Sequence, residues 1–163
     1  MTKTLSKRSA PRQFDSLEQE AFLNLWRSYD RLRAEEDALF GEHDLTPQQY
    51  NALRLLSRAH PRAVPTLRLA GKLVSRAPDI TRMLDKLAAR GLVERERPAD
   101  NRRVVEVRIS SQGLALLKRL AEPVRQCHQR QLGHMSQDKL RTLIALLRAA
   151  SAPHEDPENP WGS

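Results

Sequence analysis

Ser75, Asp79, Arg82 and Lys86 recur every three or four residues, which sets them on one arc if that stretch is helical, with Arg76 at its start. Further on, the tip Pro98–Arg103 ends in the adjacent Arg102 and Arg103. A guanidinium is a rigid fork of N–H donors that meets two acceptors at once; an ammonium is a compact point charge. Side chains of these types on one face suit the grip of a polyanion, not the breaking of bonds. Other chemistries lack their residues. The six glycines are scattered and form no phosphate loop. His43, His60, His128, His134 and His154 show neither a Cys-x-x-Cys partner nor His-x-x-x-His spacing, so no metal site is expected. No nucleophile stands with a base, and neither an enzyme nor a cofactor is expected.

The elements that must position these residues can be read from periodicity. Ile80, Leu84 and Leu87 fall at i, i+4 and i+7 with Met83 beside them, an apolar stripe opposite the polar arc. After Gly91, Leu92 and Val93 open an extended run. Val105, Val107 and Ile109 then alternate with Glu106 and Arg108, the period of a half-buried strand. A basic-faced helix followed at once by a hairpin with a cationic tip reads as a winged helix-turn-helix. Its helix would enter the DNA major groove while the tip flanks it.

Composition agrees. The chain has 163 residues, enough for one domain with a proper core, and carries a net charge of +8, which favours polyanionic partners. Nucleic acid leads and an anionic membrane surface follows. Between Asp44 and Asp79 there is no acidic residue, whereas Arg54, Arg58, Arg62, Arg68, Lys72 and Arg76 are all basic. Charged residues make up 29% and aromatics 4%, which leans toward helix over β-sandwich. The single Cys127 excludes an intrachain disulfide and suits a reducing compartment. The N-terminus is basic without an apolar stretch behind it, so no secretory signal is expected. No apolar run approaches the roughly 18 residues that span a bilayer. The expectation is a cytoplasmic protein without membrane contact.

Along the chain, residues 1–13 read as a disordered basic tail. A first helix is expected over 15–41, with Asp15 and Glu18 at capping-box spacing and Gly41 as its stop. Phe22, Trp26 and Tyr29 line one face of it; they serve a core, a dimer seam or the wall of a small-molecule pocket. Leu45-Thr46-Pro47-Gln48-Gln49-Tyr50 is a dense helix start, with Thr46 as cap, Pro47 in the first helical position, Gln49 closing a capping box and Leu45 stapled to Tyr50. That helix should reach Ala59, ended by Pro61. Thr66 is expected to cap a short helix to Leu73 with Leu67, Ala70 and Leu73 inward, and a turn at Val74–Ser75 leads to the basic-faced helix. Ser110 should cap the next helix, running to Leu132 through Leu114, Leu117, Leu120 and Val124 with Pro123 inside it. Ser136 should start a last helix carrying Leu140, Leu143, Ile144 and Leu147. Residues 151–163 read as a flexible acidic tail. The fold class is mainly α with a small β-hairpin wing: a winged helix over 45–109, flanked by dimerisation helices over 15–41 and 110–150.

The stretches LTPQQYNALRLL, SRAPDITRMLDKLAARGLVER, PADNRRVVEVRIS and SSQGLALL together resemble the MarR family of bacterial transcriptional regulators, over about residues 14–150. The resemblance implies a winged-helix homodimer on double-stranded DNA at palindromic operators, released by small, often aromatic or phenolic effectors. It assigns Thr81 and Arg82 to base and phosphate contact. Arg82 can fork onto guanine, and Thr81 offers a hydroxyl and a methyl for thymine. Asp100 and Arg102 match the family's Asp-x-Arg wing, the acid orienting the arginine toward the minor groove, and Arg103 adds charge for phosphate. Ser75 and Arg76 lie where backbone N–H groups of a helix start face phosphate. Asp79 either accepts from cytosine N4 or holds Arg82 or Lys86. Taken singly, Lys86 and Arg97 read as solvated charges, although Lys86 belongs to the DNA-facing arc. Trp26 and Tyr29 are the expected walls of an effector pocket between the first, second and fifth helices. Cys127, late in the chain, reads as a buried or interface thiol more than as a redox sensor. A nucleoid-type protein without sequence choice and a winged-helix protein-interaction module are the rival readings.

Overall fold

In a computed structural model of the chain, residues 14–74, 79–99 and 101–155 are described. The chain divides into two compact units, Met1–Ala34 and Glu35–Ser163. The described part of the first is most of helix α1 (Leu17–Gly41). The second holds the end of α1, then α2 (Pro47–Ala59), β1 (Val64–Pro65), α3 (Thr66–Lys72), α4 (Ile80–Ala89), β2 (Val93–Glu96), β3 (Glu106–Ile109), α5 (Ser111–Leu132) and α6 (Gln137–Ser151). A 3-10 turn, Ala152–His154, closes the described chain, so the helical path runs past the point where a flexible tail was expected.

Local chemistry explains most boundaries. Ser16, not Asp15, starts α1: its Oγ accepts from the Gln19 N–H at 3.1 Å, while the Asp15 N–H donates to the Gln19 side chain. The Thr46 side chain accepts from the Gln49 N–H at 3.2 Å and Gln49 Oε1 accepts from the Thr46 N–H at 2.9 Å, the reciprocal capping box expected there. Thr66 departs from expectation. It is the first residue of α3 and not its cap, and its hydroxyl donates to the Val105 carbonyl at 2.9 Å. With that bond comes a strand unforeseen in the sequence: β1 pairs antiparallel with β3 (Val64 opposite Val107), giving a three-stranded sheet in the order β1-β3-β2. Two residues of strand are too short for a period-2 signal to register. The inward face of α3 also differs, since Leu69 is buried and Leu67 is 84% exposed.

The core of the second unit gathers Phe40, Leu45, Leu53, Leu56, Leu69, Leu84, Leu87, Val107, Ile109, Leu116, Leu120 and Val124 around the sheet. Phe40 stacks on Tyr50 with ring centroids 4.5 Å apart. On α5 the buried stripe runs through Gly113, Leu116, Leu120, Val124 and Cys127, with Leu114 and Leu117 half-buried at its edge. Leu116 is therefore the inward residue that the expected stripe passed over. Cys127 is a free, fully buried thiol. Burial, then the Glu35 and Glu36 carboxylates, push its pKa up, which opposes the thiolate that redox chemistry needs. Two apolar stripes stay uncovered in the single chain. On α1, Phe22, Trp26 and Tyr29 are 62%, 61% and 59% exposed, and α6 buries no residue at all.

The turn from α4 into β2 depends on Gly91, whose φ is +67°. Its N–H donates to the Ala88 carbonyl at 2.8 Å, and the Leu92 N–H donates to Leu87 at 3.0 Å, the paired bonds of a Schellman ending. Gly113 is required for closeness. A Cβ there would strike the Leu92 carbonyl oxygen and lie 2.6 Å from Ile109 Cγ1, whereas one on Gly41 would meet nothing within 4 Å. Gly113→Ala is therefore expected to lower unfolding stability by about 1–3 kcal/mol through overpacking. Gly41→Ala should change it by less than about 0.5 kcal/mol or stabilise. Equilibrium urea denaturation of the two variants checks this; equal midpoints would refute the close approach.

Candidate nucleic-acid interface

The exposed arc of α4 is set by its buried one. Leu84 and Leu87 are fully buried, Ile80 and Met83 half-buried, and this turns Thr81, Arg82, Asp85, Lys86 and Ala89 to solvent. Thr81 and Arg82 thus share a face with Lys86, as the spacing predicts. Asp79 caps the helix: its Oδ1 accepts from the Arg82 N–H at 2.8 Å. Of its expected roles, the structure gives the one that holds residue 82, through the backbone and not the guanidinium. An acidic cap also stabilises the positive end of the helix dipole. The helix begins at Ile80, later than the sequence suggested. Ser75 and Arg76, placed there by expectation, lie outside the described residues, as does Asp100.

The hairpin is held in register by Val93 opposite Ile109, Arg95 opposite Val107 and Glu96 opposite Glu106. Glu96 and Glu106 would repel as direct neighbours. Arg108 offsets this, with Nε 2.8 Å from a Glu94 oxygen and Nη1 3.7 Å from Glu96. The hydrogen bond to Glu94 and the charge of Glu96 hold the Arg108 guanidinium above its ordinary range. At the tip, the Asn101 N–H donates to Pro98 at 3.2 Å, the Val104 N–H donates to Asn101 at 3.1 Å, and the Arg103 N–H donates to Asn101 Oδ1 at 3.3 Å. Arg102 and Arg103 stand exposed on this turn. Arg97, read singly as a solvated charge, is instead a tie across the wing. Its Nη1 donates to the Arg102 carbonyl at 3.0 Å and links the two arms.

Three further residues escaped the sequence reading. Asp85 on α4 forms an ion pair with Arg95 on β2, and the Arg95 guanidinium is mostly covered while Asp85 is exposed. This pair braces the recognition-type helix against the wing. The signal was available, because strand alternation puts Arg95 on the same inward side as buried Val93, where an arginine needs a carboxylate. Arg90, at the end of α4, donates from Nη2 to the His43 carbonyl at 3.0 Å and from Nη1 to Asp44, fastening α4 to the loop before α2. Among the described residues, no carboxylate pairs with the side chains of Arg82, Lys86, Arg102 or Arg103.

A cleft of about 420 Å³ lies between α2 and α5, lined by Tyr50, Arg54, Leu117, Val124, Arg125 and His128 among others. Burial pushes the pKa of the Tyr50 phenol up, and Arg54 opposes that shift. His128 faces Glu36 at 3.2 Å on the same side. The expected walls Trp26 and Tyr29 belong to the other unit, and the residues that line this cleft lie within Glu35–Ser163. Among the described residues no cluster of His, Cys, Asp or Glu could hold a metal ion, and no helix is long and apolar enough to cross a membrane.

A profile of the MarR family matches residues 45–105, from the capping box of α2 through the wing. No curated protein matches the chain. Among solved structures, a MarR transcription factor from Planctomyces limnophilus is 55% identical, with 84% of this chain and 99% of that one covered at a TM-score of 0.67. A MarR family regulator from Streptomyces coelicolor, solved in complex with DNA, shares the fold at a TM-score of 0.77 over 94% of this chain and 98% of that one, with 18% identity. So does a Bordetella bronchiseptica protein whose DNA binding is regulated by 6-hydroxynicotinic acid, at a TM-score of 0.73 and 21% identity over 83% of this chain and 96% of that one. With that frame, an outward basic helix and a cationic wing, and with 55% identity across nearly the whole of a relative, the chain belongs to the MarR family of DNA-binding transcriptional regulators, which are not enzymes.

Proposed function

We propose that the protein is a homodimeric, sequence-specific regulator that binds a pseudo-palindromic operator in the cytoplasm and acts as a ligand-responsive repressor. One observation supports this above others: the outward face Thr81–Arg82–Lys86 and the tip Arg102–Arg103 carry cations without a described carboxylate partner, on elements braced to each other by Asp85 and Arg95. In this reading α4 enters the major groove, Arg82 forks onto guanine, Thr81 meets a thymine methyl and Lys86 takes a phosphate. Ser75 and Arg76 serve phosphates before the helix, and Asp79 contributes through its cap. In the wing, Asp100 orients Arg102 toward the minor groove and Arg103 takes a phosphate.

The exposed stripes on α1 and α6 support the homodimer, since an aromatic face of this kind is costly to leave in water. Two recognition helices would then lie about one DNA turn, roughly 34–36 Å, apart. The Bordetella relative supports an effector response, and the α2–α5 cleft is a described space that could take a small aromatic or phenolic ligand. Trp26 and Tyr29 then serve the dimer seam.

Selection of the purified chain against a randomised duplex pool at physiological salt tests the reading. A pseudo-palindrome bound as two half-sites is expected, and Arg82→Ala should weaken it by about 1–3 kcal/mol while relaxing choice at one base pair per half-site. Retention of every duplex alike with a steep salt slope would instead show nucleoid-type binding, and no retention would favour a protein-interaction module. Arg97 separates positioning from contact. Arg97→Ala should cost about three- to tenfold in operator affinity with an unchanged salt slope. Arg103→Ala should lower that slope by about one unit per protomer. Affinity titrations over a salt series read both, and a reduced slope for Arg97→Ala would make Arg97 a phosphate contact.

A further inference from the structure

The acid-free stretch between Asp44 and Asp79 gathers four of its cations around one hollow. Arg58 and Arg62, at and after the end of α2, and Arg68 and Lys72 of α3 surround a cleft of about 330 Å³ between α2, β1 and α3. Among the described residues none of the four has a carboxylate partner, unlike Arg95 and Arg108 elsewhere in the same unit. The floor is apolar, made by Leu55, Val64 and Leu69, and Leu69 is buried. Four like charges around one hollow make it electropositive, which favours an anion there. The volume lies in the range of small-molecule sites, about 300–1,000 Å³. A duplex phosphate is reached by a cation on a ridge and gains nothing from an apolar floor. A small molecule with an apolar body and an anionic head uses both.

We infer that this cleft binds a small organic anion: an apolar ring or short chain against Leu55, Val64 and Leu69, and a carboxylate, sulfonate or phosphate head among Arg58, Arg62, Arg68 and Lys72. Guanidinium forks suit any of these heads. The site is separate from the α2–α5 cleft and from the DNA-facing residues of α4 and the wing. Its existence does not depend on the operator reading. It is framed by the winged unit itself, since β1 pairs with β3 and Thr66, at the start of α3, is bonded to Val105.

The full chain is titrated with the fluorescent anion 1-anilinonaphthalene-8-sulfonate, and the neutral N-phenyl-1-naphthylamine serves as comparison. Three proteins are used: the unaltered chain, the double variant Arg62→Ala/Arg68→Ala, and Arg54→Ala, which alters the other cleft. The changed arginines are exposed, and circular dichroism verifies that each variant is folded. Saturable binding of the anion is expected, weakened at least about tenfold in the double variant and unchanged in Arg54→Ala, with the neutral dye at least about tenfold weaker. Displacement by 2-naphthoate or 2-naphthyl phosphate, but not by 2-naphthol, supports the site and ranks the heads. Equal anion binding by the unaltered chain and the double variant overturns it, as does displacement by 2-naphthol. A double variant that keeps anion binding but loses duplex affinity with a shallower salt slope also overturns it, and makes these cations phosphate contacts.

Discussion

The Ser110 hydroxyl accepts from the Gly113 N–H at 3.0 Å, capping α5, and donates to the Gly91 carbonyl at 2.6 Å, just past the end of α4. The Ser110 N–H donates in turn to the Leu92 carbonyl at 3.1 Å, where β2 is about to begin. One residue thus fixes the end of the recognition-type helix, the root of the wing and the start of α5. The knot is buried and satisfies polar groups that would otherwise be costly in the core. It closes because both glycines lack a Cβ: Gly91 for its left-handed backbone, Gly113 for its approach to Leu92 and Ile109. The outward face of α4 can be aimed only while this point holds.

The arginines divide by what their backbones compel. Arg95 lies on the inward side of a strand and must find Asp85; Arg90 ends a helix beside a loop and takes its carbonyls; Arg97 spans the wing. Each acts as a brace, and each removes freedom from the piece that carries an outward cation. Arg82 sits on a helix whose start is capped by Asp79 and whose flank is tied by Asp85. Arg102 sits on a turn whose carbonyl Arg97 holds. Ordering these supports in the folded chain spares part of the entropy that binding would otherwise cost.

Legibility in the sequence followed the length of each signal. The Thr46 box, the Ser110 and Ser136 caps, the α4 stripe and the alternation of β3 were all readable, because each rests on several residues at fixed spacing. Where one residue carried the inference, neighbours competed. Ser16 took the cap from Asp15, and Thr66 gave its hydroxyl to Val105, 39 residues away, instead of capping α3. The two-residue β1 exists only through its pairing with β3, so no local pattern announces it. The outward face of the interface was legible because helical spacing fixes it. Its braces were not, since Asp85–Arg95 and Arg97–Arg102 join elements through space. The cleft lined by Tyr50, Arg54 and His128 needed the packing of α2 on α5, which periodicity does not supply.

That cleft meets the knot along a single helix. α5 contributes Leu117, Val124 and His128 to the cleft and is capped by Ser110, so a few turns of continuous backbone join the cleft to the knot, and the Ser110 hydrogen bond to Gly91 joins the knot to the end of α4. A ligand wedged between α2 and α5 cannot lengthen the Ser110 bonds appreciably without exposing buried polar groups. The less costly response is for α4 and the wing to travel with the first turn of α5 as one body. In the proposed dimer such a shift would alter the spacing of the two recognition helices while leaving each one intact. A ligand moves that equilibrium only by its unequal affinity for the two arrangements, and a swing from 1:99 to 99:1 takes about 5.5 kcal/mol of difference. In the proposed regulator the rigidity of the knot is therefore what lets a change in the cleft reach the DNA-facing surface undiminished, instead of being absorbed at the wing root.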